Sequence, residues 1–360
     1  MYYYVWRQTC ETNRLLMTNS LFKNALNRVP QNTPPIWFMR QAGRYHSHYQ
    51  NLKKNYSFEE LCKNPNLAAE TALGPINDFD FDVSILFSDI LFPLEALGMG
   101  LKYDPGPIFS KFIDPSNVNE LISVDDAILK LMFQADALKL TRELLPKDKS
   151  LIGFIGGPWT VASYGTGMNK GINYQGGINN KFIQELLENK IFPLLKKNIA
   201  LQIESGAELV MIFDTDASRI GNSIDYKKYS EFLYNELMLP FDNKVGYFAK
   251  HPFEYDFFTE KINSDGVSSI SGIGVDHTQP ICNWLNKTNR GFIQGNFNQD
   301  DLAKPLDEFK FALDKYIEPI INLSIEERAG WVCGLGHGIL KTTPEENVKY
   351  FIKTIRETFK

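Results

Sequence analysis

The sequence predicts an α/β protein built as one (β/α)8 TIM barrel. Three observations predict it: eight short, nearly continuous apolar runs, amphipathic segments between them, and polar, glycine-bearing turns directly after the runs. The runs are IWFMR (36–40), DVSILF (82–87), LIGFIG (151–156), ELVMIFD (208–214), KVGYFA (244–249), GVSSIS (266–271), GFIQGN (291–296) and GWVCGLG (330–336). Parallel strands covered on both faces need this lack of alternation. The helical segments are 58–76, opening after Ser57, then 125–145, 180–205 and 344–358, the last with Pro344 and two glutamates in its first turn. A doubly wound open sheet with an appended domain is the alternative arrangement. No Gly/Ser/Pro-rich linker divides the chain, so a single domain is expected over 17–360. Residues 1–16 read as a loosely ordered extension, and Met17 precedes the better-patterned LFKNALNRV.

Composition narrows the function. The chain has 360 residues, a net charge of −5 and 43% hydrophobic residues. That length buries a core without staples, and the acidic balance argues against nucleic acid and anionic membranes as partners. There is no apolar stretch long enough for a membrane span and no secretory-signal order at the start, so a cytoplasmic location is expected. Cys10, Cys62, Cys282 and Cys333 are widely spaced and form no C-x-x-C pair, as for reduced, incidental thiols.

In a barrel of this kind, chemistry sits in the loops past the C-terminal strand ends. FMRQAGRY places Arg40 and Arg44 four apart at such a junction, with Gly43 permitting a turn and no acid beside them. Guanidinium groups grip carboxylates bidentately and stay charged. Spacing alone does not separate that reading from two solvated surface charges. Asp89 in LFSDIL lies among apolar residues, where an acid must be paired or protonated. From this local signal a helix N-cap or internal salt bridge explains it slightly better than a functional role. The functional role gains if the acid stands opposite the two arginines across a barrel mouth. GFIGGPWTVASY (153–164) has no phosphate-loop or dinucleotide spacing. FDTDAS sets Thr215 between two aspartates, but no histidine stands at ligand spacing, so no metal is expected. His337, between glycines in GLGHGIL, can act as donor, acceptor or proton carrier.

Taken in order, FMRQAGRY, SILFSDILFPLEALGMG, GFIGGPWTVASY, the QGN turn and GLGHGILKTTPEENV resemble the uroporphyrinogen decarboxylase family from about Leu21 onward. The resemblance implies a (β/α)8 barrel that forms a homodimer and uses neither metal nor organic cofactor. It implies removal of the four acetate carboxylates of uroporphyrinogen III, giving coproporphyrinogen III and carbon dioxide in haem and other tetrapyrrole synthesis. Carried over motif by motif, it implies substrate binding by Arg40, Gln41, Ala42, Gly43, Arg44, Asp89, Tyr164, Thr215 and His337, with Asp89 catalytic. The chain departs from the family pattern at His46–Tyr49, at Ser218, over 246–265, at His277 where tryptophan is common, and at Phe297–Gln299. Two rival functions are a related barrel methyltransferase using zinc, for which Cys333 is the hint, and a tetrapyrrole-binding protein without turnover.

Overall fold

The structure, a computed structural model, describes residues 19–264 and 269–360. The expected extension 1–16 lies outside the described residues, as does 266–268 of the strand read at 266–271. Seven strands form one parallel sheet: β1 (Val83–Ile85), β4 (Ser150–Gly156), β5 (Leu209–Phe213), β6 (Val245–Phe248), β7 (Ile270–Gly274), β8 (Phe292–Phe297) and β9 (Trp331–Leu335), neighbours in that order. Helices occupy the crossovers, as parallel pairing requires. A separate antiparallel hairpin, β2 (Leu101–Tyr103) with β3 (Pro107–Phe109), leaves the crossover between β1 and β4.

The strand predicted at 36–40 is not a strand. Ile36 makes a single parallel bridge to Cys333 of β9, and on the other side its carbonyl accepts from Asp82 N at 3.0 Å. Competing acceptors explain the shortening. The Asp82 carboxylate takes the Ile36 N–H at 2.8 Å, and the Gln41 side-chain oxygen takes the Phe38 N–H at 3.1 Å. With Gln41 N bonded to Phe38 O, residues 38–41 turn instead of extending. Residues 35–37 thus lie between the two edge strands of the curled sheet.

Side chains divide by strand alternation into two clusters. Trp37, Val83, Ile85, Ile152, Met211, Phe248 and Val332 meet on the concave side, with Phe22 of the helix Ser20–Leu26 against them. The alternate residues, such as Leu151, Ile155, Val210, Ile212 and Ile273, face the helices. Residues from both edge strands share the inner cluster, so the sheet is strongly curled.

The helices follow the predicted pattern, with breaks inside three of the segments. The segment 58–76 divides at Asn64: Ser57 and Glu60 form a capping box for Phe58–Lys63, and Asn64 caps Pro65–Phe79. The segment 125–145 divides into Val124–Leu129 and Met132–Leu144. The segment 180–205 carries a π-turn at Leu187–Ile191, and the tail helix spans Glu345–Thr358. No helix among the described residues is long and apolar enough to cross a membrane.

One joint fixes the loop after β4 against the loop after β5. Asp214 is fully buried and accepts from Thr160 N at 2.8 Å, Thr160 Oγ1 at 2.7 Å, Tyr247 Oη at 3.2 Å and, at short range, Tyr229 Oη. Tyr229 in turn accepts from Trp159 N at 2.8 Å, which orients its hydroxyl hydrogen toward the acid. A Cβ on Gly157 would lie 2.0 Å from the Asp214 carboxyl carbon, so only glycine admits this approach. Asp214→Ala should lower the unfolding free energy by about 3 kcal/mol or more, because four donors, three hydroxyls and one amide, lose their acceptor in a dry site. Urea denaturation checks this; an unchanged midpoint would show that the joint holds little.

Candidate functional site at the C-terminal rim

All seven strands point the same way, so the segments following them gather on one rim. The predicted residues separate there into groups that face the mouth and groups that build it.

The arginine loop is held from beneath. Gln41 is fully buried; its side-chain nitrogen donates to Val83 O at 2.9 Å and its carbonyl accepts from Tyr45 Oη at 2.8 Å. With the two Phe38 bonds, every polar group of Gln41 is committed inside the protein. Its side chain therefore positions the loop rather than meeting a ligand. Arg40 adopts φ +62°, a left-handed conformation uncommon for a residue with a side chain. Its stem runs over Gly338, where a Cβ would lie 2.5 Å from Arg40 Cδ. Ala42 and Gly43 complete the turn, half-buried, with Gly43 O accepting from His46 N at 3.0 Å. Arg40 and Arg44 are exposed, and among the described residues neither forms an ion pair. Two uncompensated guanidinium groups on one rim favour an anionic ligand over accidental surface charge.

The histidines that follow them have other duties. His46 is buried, its Nε2 2.7 Å from Asp78 Oδ2, and its ring packs on Phe79. Burial lowers its pKa, while the Asp78 partner opposes that shift.

Asp89 stands half-buried beyond β1. One oxygen accepts from Leu91 N at 2.8 Å. Burial raises its pKa, against which the Leu91 amide, the Tyr103 hydroxyl and the Arg40 charge favour the carboxylate. Tyr103 was not legible as a site residue. It belongs to the β2–β3 hairpin and packs edge-on to Phe58 with ring centroids 4.7 Å apart. Its hydroxyl oxygen is buried without a well-aligned protein partner, and it lies within hydrogen-bonding influence of Asp89.

Tyr164, on the helix Pro158–Thr166, is half-buried and electrostatically coupled to both halves of the mouth. Burial raises its pKa first, Asp216 adds to this, and Arg40 opposes it. Thr215 opens a 3-10 turn, Thr215–Arg219, and its carbonyl accepts from Ser218 Oγ at 3.2 Å. The neighbouring aspartates are both occupied: Asp214 in the joint described above, and Asp216 by Ser163 Oγ at 2.7 Å. Among the described residues no three His, Cys, Asp or Glu side chains stand together as a metal-ligand group.

His337 follows β9, its ring centroid 6.2 Å from that of Phe248. Both flanking glycines answer to close neighbours: Gly338 to the Arg40 stem, and Gly336 to His277, whose backbone nitrogen would lie 2.2 Å from an added Cβ. Burial, then the Lys250 ammonium, Arg40 and His277, bring the His337 pKa down to about 3. At neutral pH the ring is an uncharged donor–acceptor, not the proton carrier that its intrinsic pKa allows. Lys250 is exposed just past β6 and adds a cation to the same rim. The KHP turn after the predicted strand was its only signal. Cys333, the sequence's hint of zinc, is fully buried within β9 and its thiol pKa is raised by that burial.

Known proteins match this arrangement along nearly the whole chain. A family model described as uroporphyrinogen decarboxylase (URO-D) matches residues 17–358. The chain is 37% identical to uroporphyrinogen decarboxylase from Campylobacter jejuni serotype O:23/36 (strain 81-176) over 357 residues, 94% of this chain and 99% of that one. It is 32% identical to uroporphyrinogen decarboxylase from Orientia tsutsugamushi (strain Ikeda) over 355 residues, 92% of this chain and 96% of that one. Among solved structures, a methyltransferase from Methanosarcina mazei superposes with a TM-score of 0.74 at 18% identity, covering 95% of this chain and 100% of that chain, a likeness of fold alone. With the family model spanning the described strands and relatives above 30% identity over almost their full length, the chain belongs to the uroporphyrinogen decarboxylase family.

Proposed function

We propose that the protein decarboxylates the four acetate side chains of uroporphyrinogen III, releasing carbon dioxide and coproporphyrinogen III in tetrapyrrole biosynthesis. In this reading the sheet is an eight-position barrel whose eighth place is taken by residues 35–37, and the protein works as a cytoplasmic homodimer. The observation that carries the reading is the pairing of charges at the rim. The desolvated Asp89 is electrostatically coupled to Arg40, and among the described residues neither Arg40 nor Arg44 is neutralised by an ion pair.

Each loss of carbon dioxide breaks the bond between an acetate methylene and its carboxylate. The electron pair left behind enters the pyrrole, which accepts it once a ring carbon has been protonated. The methylene then takes up a proton and becomes a methyl group while the ring carbon gives its added proton up, so each cycle consumes one proton net and restores the pyrrole. Asp89, ionised, accepts hydrogen bonds from the pyrrole N–H groups and stabilises the cation that develops in the ring. Fixed charges aimed at a developing charge usually supply the largest catalytic contribution. Arg40 and Arg44 hold substrate carboxylates, while Tyr164, Thr215 and the neutral His337 hydrogen-bond further side arms. Gln41, Ala42 and Gly43 shape the arginine loop, Gln41 from within the fold. The reaction as written uses no metal or organic cofactor.

Anaerobic incubation with uroporphyrinogen III tests the proposal: porphyrins with seven to four carboxylates should appear on chromatography after oxidation. Their absence would leave a binding protein without turnover. Asp89→Asn should cut turnover by roughly 10²–10³-fold, by analogy with the loss of an oxyanion-hole donor. The same change should not lower the melting temperature. Burial raises the folded-state pKa of Asp89 above its unfolded value, so its ionised form costs stability as pH rises past that value. A neutral isostere removes the cost; parallel losses of activity and melting temperature would mark a structural acid. Tyr103→Phe deletes a hydroxyl that favours the carboxylate, so the acid limb of the kcat/KM profile should move to higher pH. An unmoved limb would show that Tyr103 only packs.

A further inference from the structure

A second concavity adjoins the mouth and has no part in the reading above. A cleft of about 430 Å³ lies along the helix Pro158–Thr166, lined by its Trp159 and Ser163, while the next residue, Tyr164, feels both Arg40 of the mouth and Arg219 of the cleft. Its apolar floor is made by Trp159, Ile172 and Ile220. Asn173, Gln175 and Arg219 supply its polar wall.

The charge balance of that wall is unusual. Arg219 is exposed, and among the described residues it forms no ion pair or side-chain hydrogen bond. Asp216, three residues earlier on the same 3-10 turn, is its nearest acid in sequence, but Ser163 Oγ occupies one oxygen of that carboxylate at 2.7 Å. The Asp216 amide is bound as well, donating to Thr160 Oγ1 at 3.0 Å, so the turn is anchored to the helix. The result is one uncompensated guanidinium, two side-chain amides and an apolar floor. Sites for small amphipathic acids have this composition: mostly apolar walls and a few convergent polar groups, with arginine matching a carboxylate in its own plane. The tetrapyrrole of the proposed reaction carries a carboxylate arm on every outer pyrrole carbon, more arms than Arg40 and Arg44 can hold.

We propose that this cleft is a carboxylate subsite that takes one side arm of the tetrapyrrole, with Arg219 pairing its carboxylate and Trp159 and Ile220 lying beneath its methylene carbons. The subsite rests on the decarboxylase reading and adds a third arginine to it, close enough to act on Tyr164 of the mouth. Arg219 acts on binding: it is remote from Asp89 in the chain and bears on ground-state grip rather than on the reacting bond.

The test uses the full chain under anaerobic conditions, with two ligands and two variants. Steady-state kinetics give KM and kcat for uroporphyrinogen III, and equilibrium titration gives the affinity for coproporphyrinogen III, which does not react further. Arg219→Gln should raise KM about tenfold, the scale of one charge-assisted hydrogen bond, and leave kcat within about twofold. Arg219→Lys should recover part of the loss. If coproporphyrinogen affinity falls equally, the arm is a propionate; if only the KM for uroporphyrinogen rises, the arm is an acetate. Unchanged KM and affinity in Arg219→Gln would overturn the subsite even where the wild-type protein turns over normally. A wild-type protein that binds coproporphyrinogen through Arg219 but decarboxylates nothing would keep the subsite and remove the decarboxylase reading. A wild-type protein that binds and decarboxylates nothing would overturn both.

Discussion

The rim depends first on one buried amide. Gln41 satisfies Phe38 N with its side-chain oxygen and Val83 O with its side-chain nitrogen, so the loop carrying the arginines is tied to the strand that leads to Asp89. An unpaired polar group in that position would cost on the order of 1–3 kcal/mol, so the loop has strong reason to keep this one geometry. The price is local: Arg40 is held in left-handed backbone, and Gly338 must lack a side chain for the guanidinium stem to pass. Strain concentrated beside unpaired charge is common where a protein prepares a site before its ligand arrives.

The same trade governs the acid. Asp89 keeps only one backbone hydrogen bond and the influence of Tyr103 and Arg40 against the cost of burial, whereas Asp214 has four donors in a fully buried joint. These two aspartates therefore divide the work. Asp214 is saturated by the fold and holds the loops after β4 and β5 together; Asp89 is left under-satisfied and has accepting capacity to spare. A neutral His337 fits this division, because an imidazolium there would add a third positive charge to those of Lys250 and Arg40 and compete with any ligand cation that Asp89 is placed to stabilise.

Much of the fold was legible because strand alternation and helix caps are local. Seven of the eight apolar runs overlap observed strands, the run at 266–271 only at its last two residues, and the cap at Ser57 sits where the sequence puts it. The run at 36–40 misled because its competing acceptors, Asp82 and the Gln41 side chain, act across the sheet and within a turn, where periodicity carries no trace of them. Strand ends led to the loops carrying Arg40, Asp89 and His337, even though 36–40 is a turn and not a strand, while Tyr164 and Thr215 entered as site residues through the family resemblance. Tyr103 did not, since the β2–β3 hairpin brings it to Asp89 from a crossover outside the strand-end loops. Nor did the packing roles of Gln41 and His46, whose partners, the buried Val83 and the exposed Asp78, lie more than thirty residues away in the chain.

The central claim is that binding and rate enhancement belong to different halves of the mouth, the arginines gripping and Asp89 stabilising charge. Single-turnover decarboxylation measured across substrate concentration separates them most directly. Arg44→Ala should approach the wild-type rate as uroporphyrinogen is raised to saturation, while Asp89→Asn should stay slow at every concentration. Recovery of Asp89→Asn at saturation, or an Arg44→Ala rate that remains depressed there, would contradict the division.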